Sequence, residues 1–176
     1  GSSLASGDLN ADGETDLVVG SLAHNSDAGR GYILYNDGSY PSTLASADVI
    51  INGQASSKFG TGIATGDLNA DGKTDLAIGG YGFSTDTGRA YVFYADGTNN
   101  FGTATCSGTP AICSAANADA LITGSAGTLF GGYDGFSEAL TIGDLNADGR
   151  NDLAVGAVNG NVVYIFYGGS ITTESY

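Results

Sequence analysis

Apolar residues fall in short runs closed by Gly, Asp or Asn rather than at helical spacing. In the middle of the chain four such runs follow one another: Gly62 to Gly66, Leu76 to Gly79, Ala90 to Tyr94 and Ala120 to Thr123. Runs of this length, rich in Ile, Val and aromatic residues and separated by polar turns, read as strands. Much of the pattern repeats. Gly20, Asp27, Gly29, Arg30, Tyr32 and Tyr35 recur 59 residues later as Gly79, Asp86, Gly88, Arg89, Tyr91 and Tyr94.

The repeat is sharpest in one eleven-residue stretch, Gly66 to Leu76, with near-copies at Gly7 to Leu17 and Gly143 to Leu153. Oxygen-bearing side chains fall at the first, third, fifth and ninth places: Asp8, Asn10, Asp12, Asp16; Asp67, Asn69, Asp71, Asp75; Asp144, Asn146, Asp148, Asp152. Carboxylates this dense repel one another unless a hard cation sits among them. Calcium takes oxygen ligands in a flexible shell and suits the set, with the seventh-place carbonyls of Glu14, Lys73 and Arg150 as further donors. Gly13, Gly72 and Gly149 stand at the sixth place, where the chain turns sharply and a Cβ is expected to clash. The set is not an EF-hand, because the twelfth place holds Val19, Ile78 and Val155 instead of a bidentate Glu. The ninth-place Asp opens an apolar run, so the expected ion staples a loop between two strands.

Four strands in about 60 residues describe one blade of a β-propeller. The chain is therefore expected to be all-β, one propeller segment over 1–176, with three four-stranded blades at about 4–58, 59–129 and 130–176. The second interval between metal loops is 77 residues, and its extra 18 fall mainly in Gly97 to Asn117 and Gly131 to Gly135, read as loop insertions. Phe136-Ser137 is expected to take the place of Phe59-Gly60, and Ile171 to Tyr176 to begin an outer strand of the third blade.

With Phe59-Gly60, then Ile63 to Asp67, the acidic loop, and Leu76 to Tyr81, the chain resembles the FG-GAP repeat of integrin α-subunit propellers and of secreted microbial proteins. The resemblance implies calcium at a hairpin loop and extracellular work in adhesion or glycan binding. The last part of the motif departs from it: Gly20-Ser21-Leu22, Gly79-Gly80-Tyr81 and Gly156-Ala157-Val158 lack the proline. Propellers usually close with about 4 to 8 blades. Three blades are thus expected to belong to a larger ring, or to be completed by copies of the chain, closing a six-bladed ring or propagating a fibre.

Composition narrows the functions. The net charge is −14, from 19 acidic and 5 basic residues. Nucleic acid and anionic membranes are poor partners for it, and no apolar run is long enough to span a bilayer. No Met and no signal segment occur, which implies a processed or excised piece. Cys106 and Cys113, the only cysteines, suit a local disulfide, with two free thiols as the alternative. Three calcium ions are the expected cofactor, and a protein or glycan ligand, or a second copy at the open blade faces, the expected partner.

No catalytic constellation is found. His24, the single histidine, falls in a loop where the repeat has Phe83, and no partner carboxylate is identifiable. The tyrosines at 32, 35, 91, 94, 164 and 167 read as blade packing, and Tyr81, Phe83 and Tyr133 as exposed candidates for recognition. The expectation is a non-enzymatic, extracellular calcium-binding module for adhesion or recognition, with a glycan-binding lectin and a self-assembling fibre or coat subunit as alternatives.

Overall fold

The computed structural model describes residues 1–97, 106–133, 139–169 and 171–176. In chain order the first strands are β1 (Ser3–Gly7), β2 (Asp16–Ser21), β3 (Arg30–Leu34) and β4 (Val49–Asn52). Then come β5 (Ile63–Gly66), β6 (Asp75–Gly80), β7 (Arg89–Phe93), β8 (Ala111–Ser114) and β9 (Ala120–Thr123). The last are β10 (Leu140–Gly143), β11 (Asp152–Ala157), β12 (Val162–Phe166) and β13 (Glu174–Ser175). They form three blades, ordered β1-β2-β3-β4-β8, β5-β6-β7-β9-β13 and β10-β11-β12. Within each blade the successive pairs are antiparallel up to the fourth strand.

Alternation along the strands decides which blade packs on which. Leu76, Ile78, Tyr91 and Phe93 point from the second blade toward Val18, Ile33, Val49 and Ile51 of the first, all buried in one cluster. The intervening residues Ala64, Ala77, Ala90, Val92, Ala120 and Ile122 form the opposite face, against Leu140, Leu153, Val155 and Phe166 of the third blade. One face carries two aromatic and two large aliphatic side chains, and the other is mostly alanine with Val92 and Ile122, so the blades pack closely.

Phe59 sits at the first seam. It is fully buried, pairs with Gly29, and sets its edge on the Tyr91 ring at 5.0 Å. Gly60 beside it has φ +90°, and its N–H donates to the Gly79 carbonyl. Phe130 and Gly131 repeat this at the second seam: Phe130 pairs with Gly88 and meets Tyr164 at 5.4 Å, and Gly131, at φ +83°, donates to the Gly156 carbonyl. The structure thus seats Phe130-Gly131 where Phe59-Gly60 stands in the preceding unit. Phe136 and Ser137 lie outside the described residues, as do Asp134 and Gly135.

Two strands were not foreseen as they occur. The insertion between β7 and β9, read as a loop, contains β8, which runs parallel along β4 of the preceding blade. The Cys106–Cys113 disulfide closes the hairpin that presents it, and Cys113 is buried in the seam. Likewise Ile171 to Tyr176 does not begin an outer strand of the third blade; its β13 runs parallel along β9 of the second. Both segments cross back because the outer strand of the preceding blade offers an unpaired edge beside them.

The tyrosines divide. Tyr32, Tyr35 and Tyr91 are buried, Tyr94 and Tyr164 are half-buried, and Tyr167 is 63 % exposed. Tyr81, expected in an exposed loop, is buried, with Lys58 over its ring and Tyr133 beside it at 6.0 Å. It is drawn in because it directly follows β6 and lies over the seam. Phe83 is half-buried beneath the Arg89 guanidinium, 3.5 Å from its ring centre, and Tyr133 is exposed.

Candidate metal loops

Each acidic stretch is the turn between the first two strands of a blade: β1 to β2, β5 to β6 and β10 to β11. Those first strands lie side by side, with the Thr65 hydroxyl donating to the Ser6 carbonyl, so the three turns emerge at the same end of the blades.

All three loops have the same backbone. Ala11, Ala70 and Ala147, at the fourth place, have φ of +61°, +61° and +62°, and Gly13, Gly72 and Gly149 have +91°, +84° and +86°. A Cβ on any of these glycines would meet nothing within 4 Å, so the expected clash is absent. Glycine is required there by the left-handed backbone rather than by lack of space.

The carboxylates fold the loop by accepting its own amides. Both oxygens of the first-place Asp8, Asp67 and Asp144 take N–H groups from the fifth and sixth places, at 2.8–3.2 Å. The third-place Asn10, Asn69 and Asn146 accept from the same fifth-place N–H through Oδ1. The fifth-place Asp12, Asp71 and Asp148 accept the amide of Glu14, Lys73 and Arg150. Asp71 also takes the Lys73 ammonium at 3.1 Å. Although burial opposes it, these bonds from Lys73 hold the Asp71 carboxyl below its usual range.

The ninth-place residue has a second role that its place in the sequence did not reveal. Asp16, Asp75 and Asp152 are fully buried. One oxygen accepts the N–H of the second loop residue, Leu9, Leu68 or Leu145; the other accepts an N–H just past the third strand, from Asn36, Ala95 or Gly168. At 2.7–3.0 Å these bonds tie the loop to the end of the third strand of its blade. An aspartate opening an apolar run was the available signal, since a carboxylate is buried only when its oxygens are satisfied.

Burial pushes the Asp16 carboxyl above its ordinary value, with Asp12 and Asp8 adding to the rise. It pushes Asp75 up to about 6, with Asp71 and Asp67 adding to it. A cation near these groups would relieve both the repulsion and the burial cost.

The donors are hard oxygens throughout, and each amide bond leaves the accepting oxygen a further lone pair. The residues therefore fit calcium in kind. Among the described residues no three His, Cys, Asp or Glu side chains already converge as a shell. The loops present their oxygens around an amide-closed turn.

His24 is half-buried in the turn after β2, where its carbonyl accepts the Gly29 N–H. That turn and its repeat carry consecutive left-handed residues, Asn25-Ser26-Asp27 and Ser84-Thr85-Asp86. Lys58 pairs with Asp27 at 3.1 Å across the first seam.

Comparison with known proteins gives one family model, the FG-GAP repeat, matching residues 1–34, 59–93 and 136–166. Among curated proteins the chain is 32 % identical over 165 residues to mouse (Mus musculus) integrin alpha-M, covering 89 % of this chain and 13 % of that protein. It is 28 % identical over 174 residues to Drosophila melanogaster integrin alpha-PS3, covering 94 % of this chain and 14 % of the relative. Over 105 residues it is 40 % identical to rat (Rattus norvegicus) phosphatidylinositol-glycan-specific phospholipase D, covering 52 % of this chain and 12 % of that protein. The chain spans about an eighth of the length of these relatives.

Proposed function

The chain belongs to the FG-GAP repeat family, and on that premise we propose that it is a non-catalytic, extracellular recognition module whose loops are ordered by calcium. The observation that carries the calcium reading is the threefold recurrence of one donor set on one backbone. In the first loop the ion would be held by Asp8, Asn10, Asp12 and Asp16 with the Glu14 carbonyl. In the second it would be held by Asp67, Asn69, Asp71 and Asp75 with the Lys73 carbonyl, and in the third by Asp144, Asn146, Asp148 and Asp152 with the Arg150 carbonyl. Bound calcium would supply positive charge to loop carboxylates that otherwise repel one another. Reaction chemistry plays no part in this role. The chain's own residues position the loop: the ninth-place Asp anchors it and the sixth-place Gly turns it.

Likeness to two integrin alpha chains over most of this chain supports a recognition role. The phospholipase D relatives share an eighth of their length with it, too little to carry an activity over. The disulfide accords with an oxidising, extracellular setting. Binding to cell surfaces and to a glycan array is measured in millimolar calcium and after metal removal. Binding lost with the metal is expected; binding indifferent to it would overturn the role given to the loops.

A further inference from the structure

The three loops share a backbone and a donor set but differ at the seventh place, where Glu14, Lys73 and Arg150 stand. In the first and third loops one oxygen of the fifth-place carboxylate takes a neutral amide: Asn10 Nδ2 donates to Asp12 Oδ2 at 2.9 Å, and Asn146 Nδ2 to Asp148 Oδ2 at 3.0 Å. In the second loop the corresponding oxygen, Asp71 Oδ2, takes the Lys73 ammonium at 3.1 Å. Among the described residues neither of the other loops contains an ion pair. One loop of the three therefore already carries a cation of its own, on an oxygen that calcium would have to share.

The ammonium is seated by the fold. Lys73 is half-buried, whereas Glu14 and Arg150 are exposed. Gly97, in the turn after β7, lies against the lysine stem: a Cβ built on it would stand 3.1 Å from Lys73 Cε and 3.3 Å from Cδ, and 3.9 Å from the Ala11 Cβ of the first loop. Bare backbone at that point lets the stem lie close beside it and bring its end to Asp71. Arg150 takes another course. Its Cβ lies against Gly168, and its Nη1 would stand 3.8 Å from a Cβ built on Gly169, so its stem leads toward the turn after β12.

We propose that the seventh-place side chain grades the three loops for calcium, an inference that rests on the calcium reading given above. Lys73 makes the second loop the weakest of the three and the last to fill, and its ammonium stands in for the ion when calcium is scarce. Glu14 adds a carboxylate to the first loop and makes it the tightest. Arg150 leaves the third loop between them, because its stem leads away from Asp148. The number of charges on a calcium loop tunes its affinity, and a cation on a ligand oxygen lowers that affinity by repulsion and by competition for the oxygen.

The test is a calcium titration of the whole metal-free chain, followed by the amide resonances of Gly13, Gly72 and Gly149 as one reporter for each loop. Gly13 is expected to reach its midpoint at the lowest calcium, Gly149 next and Gly72 last. Lys73→Met keeps the stem and removes the charge; it should lower the Gly72 midpoint about three- to tenfold and leave the Gly13 midpoint within about twofold. The gain should shrink as ionic strength rises, because the pair is partly exposed. Arg150→Met should move the Gly149 midpoint by less than about twofold. In metal-free protein Lys73→Met should quicken hydrogen exchange of the Asp71 and Gly72 amides and not of those in the first loop. Three results would each overturn the grading: Gly72 saturating with or before the other two, an unchanged Gly72 midpoint in Lys73→Met, or an equal gain at Gly149 from Arg150→Met. Three glycine amides unmoved at millimolar calcium would overturn the calcium reading itself, and the grading with it.

Discussion

Asp75 allows the buried anchor of a loop to be measured apart from the ion. Its carboxyl is inaccessible to water, and its pKa stands at about 6 against 3.8 for a free aspartate. In metal-free protein the folded state therefore holds a proton that the unfolded state has released. Folding loses stability as pH rises through the window between those two values and recovers it as pH falls. The full difference is about 3 kcal/mol at about 1.4 kcal/mol per pH unit, of which about 2.4 kcal/mol falls between pH 4 and pH 7. The overall charge of −14 tilts stability the same way, so the measurement is the difference between wild type and Asp75→Asn. Asparagine cannot ionise and keeps one oxygen for the Leu68 or Ala95 amide. Urea unfolding in calcium-stripped buffer at several pH values from 4 to 7 should show the wild type losing about 2.4 kcal/mol more than the variant. Saturating calcium should reverse the slope, because the ion favours the ionised carboxylate and is released on acidification. Parallel pH profiles for the two proteins without metal would refute the reasoning.

Three further outcomes follow from the packing. Phe130→Ala empties a fully buried site against Tyr164 and should cost about 3–5 kcal/mol by chemical denaturation, with Phe59→Ala comparable; a loss below about 1 kcal/mol would contradict the seam role. Replacing Cys106 and Cys113 together by Ser should cost about 2–3 kcal/mol on loop entropy, and hydrogen exchange should quicken in Ala111–Ser114 before β5 or β6; uniform quickening would show that the staple is not local. Gly72→Ala should destabilise by about 1 kcal/mol and Gly72→Asn by less, since the site offers room but demands φ +84°; a stabilising alanine would contradict it.

The blades were legible in the sequence because each early strand is an apolar run closed by Gly or by an acidic turn. The runs at Leu76 to Gly79 and Ala120 to Thr123 fall within β6 and β9. What escaped is non-local. Nothing in Ala111–Ser114 or Glu174–Ser175 alone shows that each lies against the outer strand of the preceding blade, since that depends on where another blade leaves an edge. Phe136-Ser137 was expected at the place that Phe130-Gly131 takes, because the positive φ and seam contacts of Phe130-Gly131 are not written in residue type. Tyr81 read as exposed because a turn follows it, while its burial comes from Tyr133, Lys58 and the neighbouring blade. The loop donors were legible as a pattern. Their closure by amides, and the tie from Asp16, Asp75 and Asp152 across each blade, needed the third dimension.

The central claim, that each acidic loop holds one calcium ion, is tested most directly by calorimetric titration of metal-free protein, wild type against Asp71→Ala. Asp71 lies in an exposed loop and bonds only to loop neighbours among its described hydrogen bonds, so the blades should persist without it. Three ions are expected for the wild type and two for the variant, with the variant melting at a lower temperature in calcium. An unchanged stoichiometry, or no heat of calcium binding to either protein, would contradict the account.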